Sequence, residues 1–210
     1  MIIQRDFDGT IATDNISLLI REKFAICDWQ RIEANYVRGK LSVEESNKRQ
    51  YALVKEPRDK LVAFAQKNTE VRAGFLEFIH YCQAANIGFV IVSSGLDFYI
   101  QAVLNKIGAP DMELHCGQTT FSQDGITVSY IGPHGDTVAK GFKGQYLAWL
   151  KQQSDTITYI GDGLSDFEAA CAADYVFAIG TLHRLLEANS VSHYTFSNFH
   201  DIMHQISNLL

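Results

Sequence analysis

Long apolar runs are missing from this chain. No stretch approaches the ~18 consecutive apolar residues that a membrane-spanning helix needs. The opening Met1-Ile2-Ile3-Gln4-Arg5-Asp6 has too short an apolar run for a signal peptide. A soluble, cytoplasmic protein is expected. Paired cysteines are missing too. Cys27, Cys82, Cys116 and Cys171 stand far apart, with no C-x-x-C pair, which argues against a zinc ribbon and against a thioredoxin-like redox site. Buried free thiols are the expectation. Basic charge is scarce: 18 Lys and Arg face 24 Asp and Glu, for a net charge of −6. Nucleic acids and anionic membranes call for a basic patch, so neither is an expected partner. An anionic small molecule stays open, because a metal and one or two lysines reverse the sign locally. Internal repeats and low-complexity tracts are also absent.

What is there is an ordinary globular composition. The 210 residues, 47% of them hydrophobic, suit one large domain or a domain with a smaller companion. Ile2 and Ile3 open a short apolar strand that ends in Asp6-Phe7-Asp8-Gly9-Thr10. Residues 14 to 67 then read as successive helices, with stripes at Ile16, Leu19, Ile20 and Phe24 and at Trp29, Ile32 and Tyr36. Pro57 suits a helix start. The segment from Val43 to Leu53 is weakly patterned. From Val71 onward helices and strands alternate. Ile87 to Val92 is nearly continuous in apolar residues, as a buried parallel strand should be. Asp124-Gly125 marks a hairpin turn, and Thr156–Ile160 and Tyr175–Ile179 read as further strands. This alternation predicts an α/β fold with a Rossmann-like parallel sheet.

One interval is too long. A strand–helix–strand unit needs about 30 residues, yet Asp6 and Ser93 are 87 residues apart. The economical explanation is a helical subdomain at 13–70, inserted into a core made of 1–12 and 71–210.

Ligands of open α/β sheets sit beyond the carboxyl ends of the strands. Three strands end in polar residues: Asp6 and Asp8; Ser93-Ser94-Gly95; and Gly161-Asp162-Gly163-Leu164-Ser165-Asp166. A parallel sheet brings all three to one rim, where crowded carboxylates repel unless a cation relieves them. Oxygen ligands alone favour magnesium. Of two carboxylates two residues apart, one can coordinate metal and attack an electrophile while the other moves protons. Ser93 and the N–H groups of Ser94 and Gly95 offer donors to a phosphoryl group at the start of the next helix. An EF-hand reading of Asp-x-Asp-Gly fails, because Gln4 and Asn15 fall where the end ligands should be.

These motifs, with a lysine between the second and the last, resemble in order the four motifs of the haloacid dehalogenase superfamily of phosphohydrolases. The 13–70 insert is similar to that superfamily's helical cap of the phosphoserine-phosphatase type. The resemblance implies a magnesium-dependent phosphomonoester hydrolase for a small phosphorylated metabolite. It implies that Asp6 is the nucleophile and that Asp8 is the general acid and base. Ser93 and Lys143 would hold and neutralise the phosphoryl group. Thr10, Ser94, Gly95 and Asp14 would serve phosphate or substrate. Magnesium would be held by Asp6, Asp162 and the backbone carbonyl of Asp8, with Asp166 positioning metal waters and the lysine. Lys143 fits because a helical stripe (Tyr146, Leu147, Leu150) follows it; Lys140 is the alternative. Within the family, Arg72–Phe78 and Ser93–Tyr99 resemble the phosphatases of methionine salvage. The segment Pro133–Lys140 lacks the cysteines usual there. Phosphoserine phosphatases usually carry a glutamate soon after the first motif, where this chain reads Thr13-Asp14-Asn15. Phe24 and Tyr36 are expected in the cap core, and His134, His200 and His204 at the surface.

Overall fold

The computed structural model describes residues 1–208. Its centre is a six-stranded sheet. Strands β1 (Ile2–Arg5), β2 (Gly88–Leu96), β3 (Leu114–Ser122), β4 (Gly125–Ser129), β5 (Ile157–Gly161) and β6 (Tyr175–Ala178) lie in the order β4-β3-β2-β1-β5-β6. All neighbours are parallel except the β3–β4 hairpin, which turns at Asp124-Gly125 as expected. β1 sits between β2 and β5, with Arg5 level with Ile91 on one side and Ile160 on the other. From β1 the chain builds β2, β3 and β4 on one side and then returns to lay β5 and β6 on the other, so the strand order reverses at β1. A crevice therefore opens at the carboxyl ends of β1, β2 and β5.

Four helices separate β1 from the rest of the core: α1 (Ile16–Phe24), α2 (Trp29–Val37), α3 (Val43–Tyr51) and α4 (Arg58–Asn68). The segments leading in and out of them pair. Ala12 and Val71 form an isolated antiparallel bridge, and Thr13 N–H donates to Glu70 C=O at 2.9 Å. The four-helix stretch thus leaves and rejoins the core at one point. Asn15 starts α1 by accepting from Leu18 N–H at 2.8 Å, and Pro57 stands just before the first turn of α4. α3 explains its weak pattern: Glu44, Ser46, Asn47 and Gln50 are all buried, so its inward face is polar. The remaining helices are α5 (Phe75–Ala84), α6 (Asp97–Lys106), α7 (Phe142–Leu150), α8 (Phe167–Ala172), α9 (Gly180–Ala188) and α10 (Phe199–Ile206).

Three expectations need correction. β2 does not stop before Ser93 but runs through Leu96, with a register irregularity between Val92 and Leu96. The helix after it begins only at Asp97, so Ser94 and Gly95 are strand residues rather than a helix N-terminus. The irregular stretch keeps strand geometry because β3 still pairs with Leu96 through Gly117. The cysteines are free, but only Cys82 and Cys116 are buried, whereas Cys27 and Cys171 are exposed. No helix among the described residues is long and apolar enough to cross a membrane.

The polar end of β1 has two outcomes. Gln4 is fully buried and its amide donates to the backbone carbonyl of Lys143 at 2.9 Å, tying β1 to α7. Arg5, also fully buried, points to the opposite face, with its guanidinium 3.2 Å from the ring centre of Phe89 and 5.1 Å from that of Phe75. All three of its nitrogens lack a hydrogen-bond partner, and burial holds its pKa well below the usual arginine value. A cation–π contact offsets only part of such a desolvation cost. Arg5→Met is expected to stabilise the fold by on the order of 1–3 kcal/mol, read as a higher midpoint in urea. A lower midpoint would mean that the aromatic contacts outweigh the unpaired donors.

Candidate active site

The strand order brings the three polar strand ends together. Asp6 follows β1 directly and is locked in place by its own N–H, which donates to Ile160 C=O at 3.0 Å. Lys143, one residue into α7, reaches under the rim. Its ammonium is 2.7 Å from Asp6 Oδ2, 2.6 Å from Asp166 Oδ1 and 3.2 Å from Ser165 Oγ. It is 2% exposed, whereas Lys140 is on the surface. The lysine facing Asp6 is therefore Lys143. Burial pulls its pKa down, but Asp166 and Asp6 more than offset that and hold it above the ordinary lysine value.

The acids differ in how much of their capacity is free. Asp166 is saturated. Its Oδ1 accepts from Lys143 and from Tyr159 OH at 2.6 Å, and its Oδ2 accepts from the N–H groups of Asp162 and Gly163 at 3.0 and 2.7 Å. A carboxylate with four donors has no lone pair left for a metal. Asp162 has one oxygen on the Thr10 hydroxyl at 3.2 Å, and Asp6 Oδ1 accepts from Phe7 N–H at 2.7 Å. Ligand atoms of Asp6, Asp162 and Asp166 lie within 4.8 Å of one another. Burial first, then the neighbouring carboxylates of Asp166 and Asp6, push Asp162 well above the usual carboxylate range. Burial likewise raises Asp6 to about 6, although Lys143 opposes it. Two buried acids and a half-buried one against one lysine make a site that gains from a cation.

Asp8 faces another way. Its Oδ1 accepts from the N–H groups of Ile16 and Ser17 at 2.7 and 3.3 Å, at the start of α1, and its Oδ2 accepts from Tyr99 OH. Burial raises its pKa against the pull of these donors, which favours the protonated form a general acid needs. Two glycines make this packing possible. A Cβ on Gly95 would stand 2.2 Å from the Tyr99 hydroxyl and 2.7 Å from Asp8 Oδ2. At Gly9, φ is +71° and a Cβ would stand 2.2 Å from Asp162 Oδ2. The turn after Asp8 is pinned by Arg72, whose guanidinium donates to the carbonyls of Gly9, Thr10 and Ser197 at 2.7, 2.8 and 3.1 Å.

A cavity of about 360 Å³ opens over this rim, lined by Asp6, Asp8, Ser93, Ser94, Gly95 and Asp162 on the sheet side. Ser93 Oγ accepts from Gly95 N–H at 3.0 Å, and its own proton points to no protein acceptor among the described residues. On the insert side the walls are Asn15, Arg21, Glu33, Tyr36, Ser46 and Asn47. Two candidates stand elsewhere. Thr10 is fully buried behind Asp162 and braces it. Asp14 is exposed and outside the lining; its backbone carbonyl accepts from Gly9 N–H at 3.2 Å. Tyr36 lines the cavity, while Phe24 packs edge-on against Phe64 at 5.0 Å. His200 and His204 are exposed on α10.

Sequence reasoning missed Tyr99, Tyr159, Arg21 and the polar face of α3. For Tyr159 a signal exists: a phenol inside an otherwise apolar buried strand needs a partner for its hydroxyl.

The sheet order, with an acid–lysine cluster at the crevice beyond β1, marks a Rossmann-like α/β fold with a polar site at its rim. The haloacid dehalogenase-like hydrolase family matches residues 5–170, and the chain belongs to it. Curated relatives named 2-hydroxy-3-keto-5-methylthiopentenyl-1-phosphate phosphatase are similar over nearly the full length. The Bacillus cereus protein is 32% identical, covering 98% of this chain and 95% of its own. That of Bacillus mycoides is 31% identical with the same coverage. Among solved structures, a substrate-bound phosphoserine phosphatase superposes with a TM-score of 0.71 at 20% identity, covering 97% of each chain. A phospho-aspartyl intermediate analogue of phosphoserine phosphatase gives 0.70 at 19%, again covering 97% of each. These two share the fold.

Proposed function

We propose that this hydrolase is a magnesium-dependent phosphomonoesterase working through an aspartyl-phosphate, with residues 13–70 as a cap over the substrate. The observation that carries the reading is the placement of Asp6. It stands at the sheet rim, with one oxygen on a buried lysine and a second aspartate two residues on, turned toward the cap. An Asp6 oxygen attacks phosphorus as the ester P–O bond breaks, and the leaving oxygen takes a proton from Asp8. Water then attacks the acyl phosphate, gives its proton to Asp8, and frees inorganic phosphate and the Asp6 carboxylate. Lys143 offsets charge on the nucleophile and the phosphoryl oxygens, and Ser93 donates to one of those oxygens. Positioning and charge stabilisation of this kind carry most of phosphoryl transfer.

The acid cluster fits magnesium. Asp6 and Asp162 each keep an oxygen lone pair free and, with the carbonyl of Asp8, would hold it, while Asp166 orients Lys143 and the Asp162 loop. The bound cation would supply electrostatic stabilisation of the phosphoryl group.

For the substrate, a cavity of about 360 Å³ suits a small metabolite, and the relatives' name supports the methionine-salvage enol phosphate. A second reading, phosphoserine, is favoured by one feature: Arg21 and Glu33 face the cavity 3.7 Å apart, one for a carboxylate and one for an ammonium. Against it, Asn15 stands where an acid would be expected, and its side chain is spent on capping α1. Purified protein offered a panel of phosphorylated metabolites is expected to release phosphate fastest from the keto-enol phosphate. Activity should vanish with EDTA and return with magnesium. Phosphoserine as the best substrate would reverse the assignment, and full turnover in EDTA would remove the metal from it. Adding acceptor alcohols tests for phosphotransfer, which would appear as a new ester in place of free phosphate.

A further inference from the structure

The helix that carries Lys143 has no cap of its own. The residue before α7 is Gly141, at φ +76°, and it has no side chain to meet the first N–H groups of the helix. The missing acceptor comes from the insert. Glu44, in the first turn of α3 and 1% exposed, accepts from Phe142 N–H at 2.8 Å, across 98 residues of sequence. Next to it, Ser42 Oγ donates to Ala139 C=O at 2.8 Å. With Gln4 holding the Lys143 carbonyl from β1, the first turn of α7 is pinned from both sides, and one pin belongs to the insert. The same face of α3 reaches the second motif, where Asn47 donates to Ser94 C=O and to Tyr130 OH, both at 2.8 Å.

We propose that Glu44 is a positioning residue for phosphoryl transfer: by capping α7 from the inserted helices it sets Lys143 against Asp6, so the lysine is in register only when the insert is docked. This rests on the phosphatase reading above. It explains why α3 buries glutamate, serine, asparagine and glutamine where a packing helix would bury leucine. An uncapped first turn frays, and a shift of about 1 Å in a charge-stabilising group can cost up to about a hundredfold in rate.

The test is a double-mutant cycle on kcat for p-nitrophenyl phosphate with magnesium. Glu44→Leu fills the space without an acceptor and is expected to lower kcat by about tenfold to a hundredfold. Glu44→Gln, whose amide oxygen can still accept from Phe142, should restore most of that loss. In a Lys143→Ala background the same Glu44→Leu change should alter kcat by less than about twofold, because its effect is spent on a lysine no longer present. An equal loss in both backgrounds, or no loss in the wild type, overturns the proposal. If thermal melts show Glu44→Leu unfolded, Glu44→Asp, one methylene too short to reach, takes its place in the cycle. Failure of the underlying reading shows separately, as full activity in Asp6→Asn.

Discussion

Asp6→Asn should lower kcat for any phosphomonoester by on the order of a thousandfold or more, the scale on which removing a covalent nucleophile acts, while leaving the protein folded. The carboxamide has the size of the carboxylate but cannot form the acyl phosphate. The fold tolerates the change for an electrostatic reason. Asp6, Asp162 and Asp166 crowd three acids around one buried lysine, and Lys143 keeps its 2.6 Å partner in Asp166 when Asp6 loses its charge. Removing one negative charge from an over-acidic cluster relieves repulsion, so the melting temperature without magnesium should hold or rise. Magnesium should stabilise the variant less than the wild type, because one anionic ligand is gone. Phosphate release near the wild-type rate would remove Asp6 from the nucleophile's role. A large fall in melting temperature would mean that Asp6 serves the fold more than the chemistry.

Much of this site is legible in the sequence because of where it sits in the fold. A carboxylate soon after a short apolar run marks a strand end, and parallel strands share their ends. Asp6, Ser93 and Asp162 could therefore be placed on one rim before any coordinate. The long helical stretch between the first two strands was legible by arithmetic, since no ordinary crossover spans 87 residues, and α1 to α4 fill that interval. What stayed hidden depends on tertiary partners. Ser94 and Gly95 carry the signature of a loop entering a helix, but pairing between Leu96 and Gly117 holds them in the strand. Asp14 lies beside the motif in sequence yet turns outward. The polar face of α3 defeats hydrophobic periodicity because Asn47 and Glu44 are buried to hydrogen-bond β2 and the start of α7, where a packing helix would bury apolar side chains. Tyr99 reaches Asp8 only because Gly95 leaves room for it, a dependence no local pattern carries.

Lys143→Ala should have the second-largest effect, and it should act on rate and stability together, unlike Asp6→Asn. The ammonium is 2% exposed and bridges two carboxylates that are themselves 6% and 0% exposed. Breaking a buried pair by deleting one partner typically costs about 3–5 kcal/mol, since the remaining charge is left without compensation. Here two acids are stranded, although Asp166 keeps Tyr159 and two backbone donors, which places the expected loss within that range. The rate should fall by about a hundredfold to a thousandfold, the scale for losing one charge-stabilising group at a reacting centre. Magnesium distinguishes the two contributions. If magnesium binds the Asp6–Asp162 cluster as proposed, it would replace some of the lost positive charge, so the rise in melting temperature on adding magnesium should be larger in Lys143→Ala than in the wild type. On the proposed mechanism activity should not return with it, because the cation would not replace the positive charge that Lys143 places beside Asp6. Lys140→Ala is the control. Lys140 is exposed, so its loss should move neither quantity by much, and a greater loss of rate in Lys140→Ala than in Lys143→Ala would transfer the role to it.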